Sequence, residues 1–452
     1  MQYFDWEAQT LRGESRYMRP DYLPTSQSHW YFQAHLPILK QETVEGHAVR
    51  CMYLLTAVAD MVALSYEDRS KLNNIDEWFN ALKKLWSNMV DQKMYSTGGI
   101  GAERQWEGFG KNYFLPQSLD EGGCYAETCA SIGVMMLAER LLMVDLDSRY
   151  ADIMELCLYN NVMTAMSLDG RHFTYVNHLG SSDNDISQRE DWFEVSCCPP
   201  NLIRLFGSLG GYIWHSKESQ GSLLINVHLY TNADLNLEFE GQKICLKQRT
   251  GWPWDGRIDF ELLGAENLKT TLHLRIPGWA QERYTLSPAP QSTALQGGYL
   301  VLEPAYVTMS PKFTLEISGF KPRFLSPHPY TNQHTLTLAR GPIVYCVEDV
   351  DNSWEENHFK DVSIKTDSPI TEVQCSLDEY SEKYVALASR CWKRAMTPWT
   401  SIPTGSAPGA IVTGEEPNDD AMEHPLVFVP YYLRANRGGR GQMRVGLTKF
   451  RV

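Results

Sequence analysis

Two short runs carry the residues best suited to chemistry: Glu127-Thr128-Cys129 and, further along, Cys197-Cys198-Pro199-Pro200-Asn201. Three thiolates and one carboxylate form a donor set of four that suits zinc, a borderline-soft ion favouring tetrahedral, sulfur-rich sites. Neighbours two apart on a regular helix point to different sides, so Glu127 and Cys129 converge only at a helix start or in a loop. The apolar stripe that follows Cys129 places them at a start. Two prolines after Cys198 favour a helix beginning near Pro200 or Asn201, with Cys197 and Cys198 on its approach. Both pairs then sit at helix N-termini, where the dipole favours thiolate and carboxylate. Spacing alone leaves equal room for buried structural cysteines, since there is no Cys-x-x-Cys pair. A vicinal disulfide fits less well, given the geometry of the bond.

A second cluster runs from Tyr95 to Gly110 and contains Gly98-Gly99-Ile100-Gly101, Glu103 and Glu107. Its glycines do not make a phosphate loop, because no Gly-Lys-Ser/Thr follows and the strand-to-helix context is missing. A loop with two carboxylates among aromatics could instead hold a general acid, although on residue type alone either glutamate reads as a solvated charge before it reads as a catalyst. His47, Glu155 and Tyr175 fall at or near helix ends or in long loops, where each taken singly suits a hydrogen-bonded structural role.

The elements that must position these residues change character along the chain. Up to about residue 216, apolar residues recur with helical period: Val49, Met52, Leu55, Val58 and Val62 within His47–Leu64, then Trp78–Met89, Thr128–Leu142, Ile153–Met166 and Leu202–Trp214. Long loops at 94–126 and 170–200 separate them, the usual place for function in a helical array. Beyond Gly221, Leu223–Leu229, Thr271–Ile276, Tyr299–Leu302 and Leu426–Pro430 read as strands bounded by turn residues. A second β segment begins near Leu336, and Thr400–Met422 reads as an exposed loop. The expected organisation is α+β and multidomain: helices over 1–216, a β-sandwich over 217–325 and a second β-sandwich region over 326–452.

The chain has 452 residues and a formal charge of −14. That charge argues against nucleic-acid and anionic-membrane partners, which need a basic face. No run approaches the roughly 18 apolar residues of a membrane helix. The ten cysteines are scattered, unlike a secreted disulfide scaffold. The N-terminal residues lack the pattern of a signal peptide, so a cytoplasmic setting is the expectation.

Several motifs, in order along the chain, resemble glycoside hydrolase family 127: Gly-Gly-Ile-Gly at 98–101, Glu127-Thr128-Cys129-Ala130-Ser131-Ile132-Gly133, Leu158-Tyr159-Asn160-Asn161, His172-Phe173-Thr174-Tyr175-Val176-Asn177, Cys197-Cys198-Pro199-Pro200-Asn201 and Ala339-Arg340-Gly341-Pro342. Pro430-Tyr431-Tyr432 with Ala435-Asn436-Arg437 fits as well. The resemblance implies a helical (α/α)6 barrel followed by β-sandwiches, and retaining hydrolysis of β-L-arabinofuranosides or a related furanoside. It implies Zn2+ held by Glu127, Cys129, Cys197 and Cys198, with Cys197 also the nucleophile and Glu107 the acid/base. His47, Glu155 and Tyr175 would contact the sugar. The substrate would be a small-molecule or oligosaccharide furanoside, with a homodimer left open. About 200 residues that the family carries before the stretch resembling Tyr3-Phe4-Asp5-Trp6 are expected to be missing, leaving the C-terminal half of the barrel. From this follow an alternative reading, a catalytically impaired fragment or a non-catalytic zinc-stabilised carbohydrate-binding protein, and the expectation of an open, one-sided helical layer that catalyses poorly.

Overall fold

The computed structural model describes residues 29–68, 72–219, 221–352, 357–393 and 423–450. The stretch from Tyr3 and the 400–422 segment lie outside the described residues. Among those described, five helices have nine or more residues: α1 (Ala48–Glu67), α2 (Ile75–Gln92), α3 (Thr128–Val144), α4 (Ser148–Leu156) and α5 (Cys198–Gly207). α1 and α3 meet through Met52, Leu55, Val58, Ile132, Met135 and Leu141, all nearly inaccessible to solvent. The apolar period read from the sequence is therefore the buried stripe of each helix. Leu64 on α1 and Ile203 and Phe206 on α5 face solvent, so the helical layer is apolar on part of its outer side as well.

Three local departures have physical causes. The stretch expected as one helix over Ile153–Met166 is α4, then a π-helical turn Cys157–Val162, then a 3-10 turn Met163–Ala165. Within that turn the Asn160 side chain bonds Pro342 O and Val344 N, and Asn161 bonds Ala126 O, so tertiary partners widen the helix. The expected helix Leu202–Trp214 breaks after Gly207 and resumes only as Gly210–Ile213, because three glycines in five residues weaken it. Finally, α1 is long and apolar enough by composition to cross a membrane, contrary to the reading of the sequence; half of that stretch is buried within the fold.

Strands begin at Trp214, just ahead of the boundary expected at 217. One five-stranded sheet has the order Trp214–Ser219, Ser222–Val227, Lys269–Arg275, Tyr299–Leu302, Ala294–Gln296. A second has the order Ala233–Phe239, Gln242–Thr250, Arg257–Leu263, Lys312–Ile317, Tyr284–Ser287. Alternating residues from both, such as Ile225, Leu272 and Leu300 against Leu246, Ile258 and Leu315, form one shared core.

The C-terminal part holds nine strands in one connected network. Its pairings close into a ring through Thr335–Arg340, Gly446–Lys449, Val362–Ile364, Glu382–Lys393, His424–Pro430 and Ile343–Glu348, the last pairing back to the first. Two stacked sheets were expected here. The ring closes because Ile343–Glu348, entirely buried, changes partner every two residues along its length.

Candidate active site

The two short runs meet. Glu127 is the N-cap of α3 and Cys197 the N-cap of α5, whose first turn carries the prolines. Cys198 is the first helical residue rather than part of the approach, so that helix starts about two residues earlier than its prolines suggest. The Cys197 sulfur lies 3.4 Å from Cys129 Sγ, 3.8 Å from Cys198 Sγ and 3.4 Å from Glu127 Oε1, and Cys198 Sγ is 3.6 Å from the same oxygen. Tyr175 Oη approaches the Cys197 sulfur to 2.8 Å. Glu127, Cys129 and Cys198 are buried, whereas Cys197 reaches solvent.

The ligand atoms of these four residues all lie within 4.8 Å of one another, a group able to hold a metal ion. Two further observations fit an ion. Glu127 Oε2 is buried with no hydrogen-bond partner, an orphaned acceptor that would otherwise cost a few kcal/mol. A tetrahedral ion with sulfur bonds of 2.3 Å sets its sulfurs about 3.8 Å apart, and two of the observed separations are at or near that value. Hydrogen bonds from Cys129, then Cys198, hold the Cys197 thiol far below its ordinary range. Burial pushes the Glu127 carboxyl up to about 9, and the bond to Cys197 pushes Cys129 up to about 12.

Glu107 stands beside this cluster. Its carboxylate lies 3.2 Å from His47 Nε2, and oxygens of Glu107 and Glu127 and a ring nitrogen of His47 form a second close group. Backbone bonds stitch the Glu107 loop to the start of α1, from Ala48 N to Glu107 O and from Phe109 N to Gly46 O. Gly108 is required there: any side chain would run into the Gly46 carbonyl. The Glu103 carboxylate lies beside Gly110. The hydrogen bond from His47 is the main cause that holds Glu107 below the ordinary carboxylate range, and Tyr125 adds another. His47→Ala is therefore expected to raise the Glu107 pKa. The pH at which Glu107 takes up its proton moves upward, and for a group that must be protonated to act as general acid the pH profile of kcat/KM would register this as an alkaline limb shifted to higher pH.

Glu155 does not come to this site. Its two oxygens are bound by Arg275 Nη2 at 2.5 Å and Trp279 Nε1 at 3.2 Å, in the joint between α4 and the first sheet. Buried and doubly engaged, its carboxylate is held in that joint, where the resemblance implied a contact with the sugar. Tyr175 and His47 do line the site, on Cys197 and Glu107 respectively. Tyr125 was missed from the sequence, and its only signal was its place two residues before Glu127. Phe193, which packs edge-on against Tyr175, gave no signal beyond an aromatic close to Cys197.

Sheets thus back a helical layer whose helix starts gather three thiols and a carboxylate beside the His47–Glu107 pair. Residues 3–211 match the model for the GH127 β-L-arabinofuranosidase catalytic domain, 224–308 the GH127 middle domain, and 322–448 the glycoside hydrolase family 127 C-terminal domain. The chain belongs to glycoside hydrolase family 127. A non-reducing end β-L-arabinofuranosidase of Bifidobacterium longum subsp. longum is 32% identical over 341 residues, 71% of this chain and 48% of that protein. The crystal structure of a GH127 β-L-arabinofuranosidase from Geobacillus stearothermophilus T6 is similar at TM-score 0.78 and 28% identity, covering 98% of this chain and 66% of that one. A second solved GH127 β-arabinofuranosidase gives TM-score 0.75 at 28% identity, covering 94% and 63% respectively. The chain thus spans about half the length of the curated relative and about two thirds of these solved chains.

Proposed function

We propose that this chain is a zinc-dependent retaining glycosidase of β-L-arabinofuranosides or related furanosides, with Cys197 as nucleophile and Glu107 as acid/base. One observation carries the reading: the solvent-reaching Cys197 sulfur sits among Glu127, Cys129 and Cys198, with the His47–Glu107 pair alongside. Zinc is the ion we assign, because a sulfur-rich set of four suits it better than harder cations. Bound there, it would keep the Cys197 sulfur a thiolate at neutral pH. The thiolate attacks the anomeric carbon, forming a C–S bond as the glycosidic C–O bond breaks. The Glu107 proton goes to the leaving oxygen, with His47 holding the carboxyl in place. Water then attacks the same carbon, Glu107 takes its proton, and the thiolate leaves with its electron pair; two inversions give retention. Tyr175, hydrogen-bonded to the sulfur, steadies its charge in both steps.

The proposed architecture is half an (α/α)6 barrel over 1–216, a β-sandwich over 217–325, supported by its shared core, and a β region over 326–452. Metal analysis and a furanoside assay on the purified chain test the reading. Glu107→Gln is expected to keep its zinc and lose most turnover, about 10²–10⁴-fold. A variant as active as the parent would remove Glu107 from the mechanism. Zinc binding by a parent without turnover would favour the second reading, a zinc-stabilised carbohydrate-binding protein, which the partial span of the relatives keeps in view.

A further inference from the structure

Glu127 has to present its carboxylate at one point while sitting on an unfavourable stretch of backbone. Ala126, just before it, has φ 43°, in the left-handed region where a side chain is disfavoured. Something must hold that turn. The Ala126 carbonyl accepts two side-chain amides, Asn161 Nδ2 at 3.2 Å and Asn177 Nδ2 at 3.0 Å. Asn177 Nδ2 also donates to Thr128 Oγ1 at 2.9 Å, so a single NH₂ group grips the chain on both sides of Glu127. Its backbone N–H closes a third tie, to Tyr125 O at 3.2 Å.

The orientation of that amide is itself fixed. Asn177 Oδ1 accepts from Thr174 Oγ1 at 2.8 Å and from Arg434 Nη2 at 3.0 Å. With two donors on the oxygen, a flipped amide would set NH₂ against guanidinium and oxygen against the Ala126 carbonyl, so only one orientation is satisfied. Arg434 comes from the far end of the chain, after the last long strand, and its side chain is completely buried. It is steadied by Ser187 Oγ, by the Val176 carbonyl and by the Tyr431 ring, and makes no ion pair with a carboxylate among the described residues. A buried guanidinium spent on neutral acceptors is an expensive way to make a structural contact. Here it ends on a residue whose amide spans Glu127.

We propose that Asn177, locked by Arg434 from the C-terminal region, is a positioning residue that sets the Glu127 carboxylate for metal binding. The proposal rests on the metal reading above, and couples the C-terminal region directly to the metal centre of the helical layer. Outer residues that orient metal ligands typically change affinity by about 10–100-fold when replaced.

The test uses the whole chain, with cobalt as a visible probe for the site. Asn177→Asp keeps the shape but turns the two donating hydrogens into an acceptor facing the Ala126 carbonyl. It is expected to weaken cobalt binding by about 10–100-fold and to change the cobalt absorption bands. Arg434→Met should do the same to a lesser degree, and Arg434→Lys should recover part of the loss. Asn160→Asp is the control: that side chain is equally buried but bonds Pro342 O, so it should cost stability and leave cobalt affinity within about twofold of the parent. Asn177→Asp binding cobalt as the parent does, or Asn160→Asp losing as much, overturns the proposal. If Asn177→Asp does not fold, Thr128→Val removes one arm of the grip and should cost about fivefold, the worth of one hydrogen bond; no change would count equally against it. Should the parent bind no cobalt, the metal reading falls separately. Amide exchange then decides for Asn177: the variant should speed exchange at Ala130 and Ser131, whose N–H groups bond Glu127 O, by tenfold or more, and unchanged rates refute the positioning.

Discussion

Cys197→Ala is expected to remove turnover of an aryl β-L-arabinofuranoside by about 10⁴-fold or more, as loss of a nucleophile commonly does. The geometry makes this residue different from its neighbour. Cys197 reaches solvent and carries the Tyr175 hydroxyl on its sulfur, whereas Cys198 is buried behind it. Both are ligands in the proposed site, so each replacement should weaken zinc binding, by roughly a hundredfold if four ligands share the affinity of a structural site about equally. Saturating zinc separates the roles. It should restore part of the turnover of Cys198→Ala and none of that of Cys197→Ala. In Glu107→Gln the second step is slowed more than the first when the leaving group needs no proton, so a pentosyl adduct should accumulate on the peptide carrying Cys197. An adduct elsewhere, or Cys197→Ala within tenfold of the parent, would remove the nucleophile from the mechanism.

Arg275→Met is expected to be the most destabilising single change outside the site, at about 3–5 kcal/mol by urea unfolding. Arg275 is completely buried on the strand Lys269–Arg275 and binds Asp152 at 2.6 Å and Glu155 at 2.5 Å, both on α4. Its Nε also donates to the His228 carbonyl. Removing the guanidinium leaves two carboxylates in a joint where burial already raises Asp152. The cost is mainly their uncompensated charge, so adding Asp152→Asn and Glu155→Gln to Arg275→Met should recover much of it. A single variant as stable as the parent, or a triple variant no better than the single, would show that the pair is not what holds the joint. The same joint bears on the site, because α4 runs straight into the π-helical turn whose Asn161 holds the Ala126 carbonyl.

Helix periods, the change from helices to strands within a few residues of 217 and the residue types of the Glu/Cys group were legible in the sequence because each follows from local rules. An apolar stripe every three or four residues buries one helix face, proline favours a first turn, and thiols with a carboxylate select a soft ion. Glu127 at the start of its helix follows directly from those rules, whereas the helix after Cys197 begins about two residues ahead of what its prolines suggest. What the sequence left open depended on partners distant along the chain. Spacing could not distinguish buried structural cysteines from a ligand set, since only the packing of α3 against α5 brings Cys129 within 3.4 Å of Cys197. Glu155 reads like any glutamate near a helix end until Arg275, 120 residues later, claims its carboxylate. The closed ring of C-terminal strands depends on one strand changing partners along its length, which alternation of side chains does not encode. Asn177 lay within a recognised motif, but its role needed Arg434 and the left-handed turn at Ala126. Local sequence thus determined which residues can do the chemistry. Long-range packing decided which of them are released to do it and which are held as structure, because a buried polar group takes whichever partner the fold delivers to it.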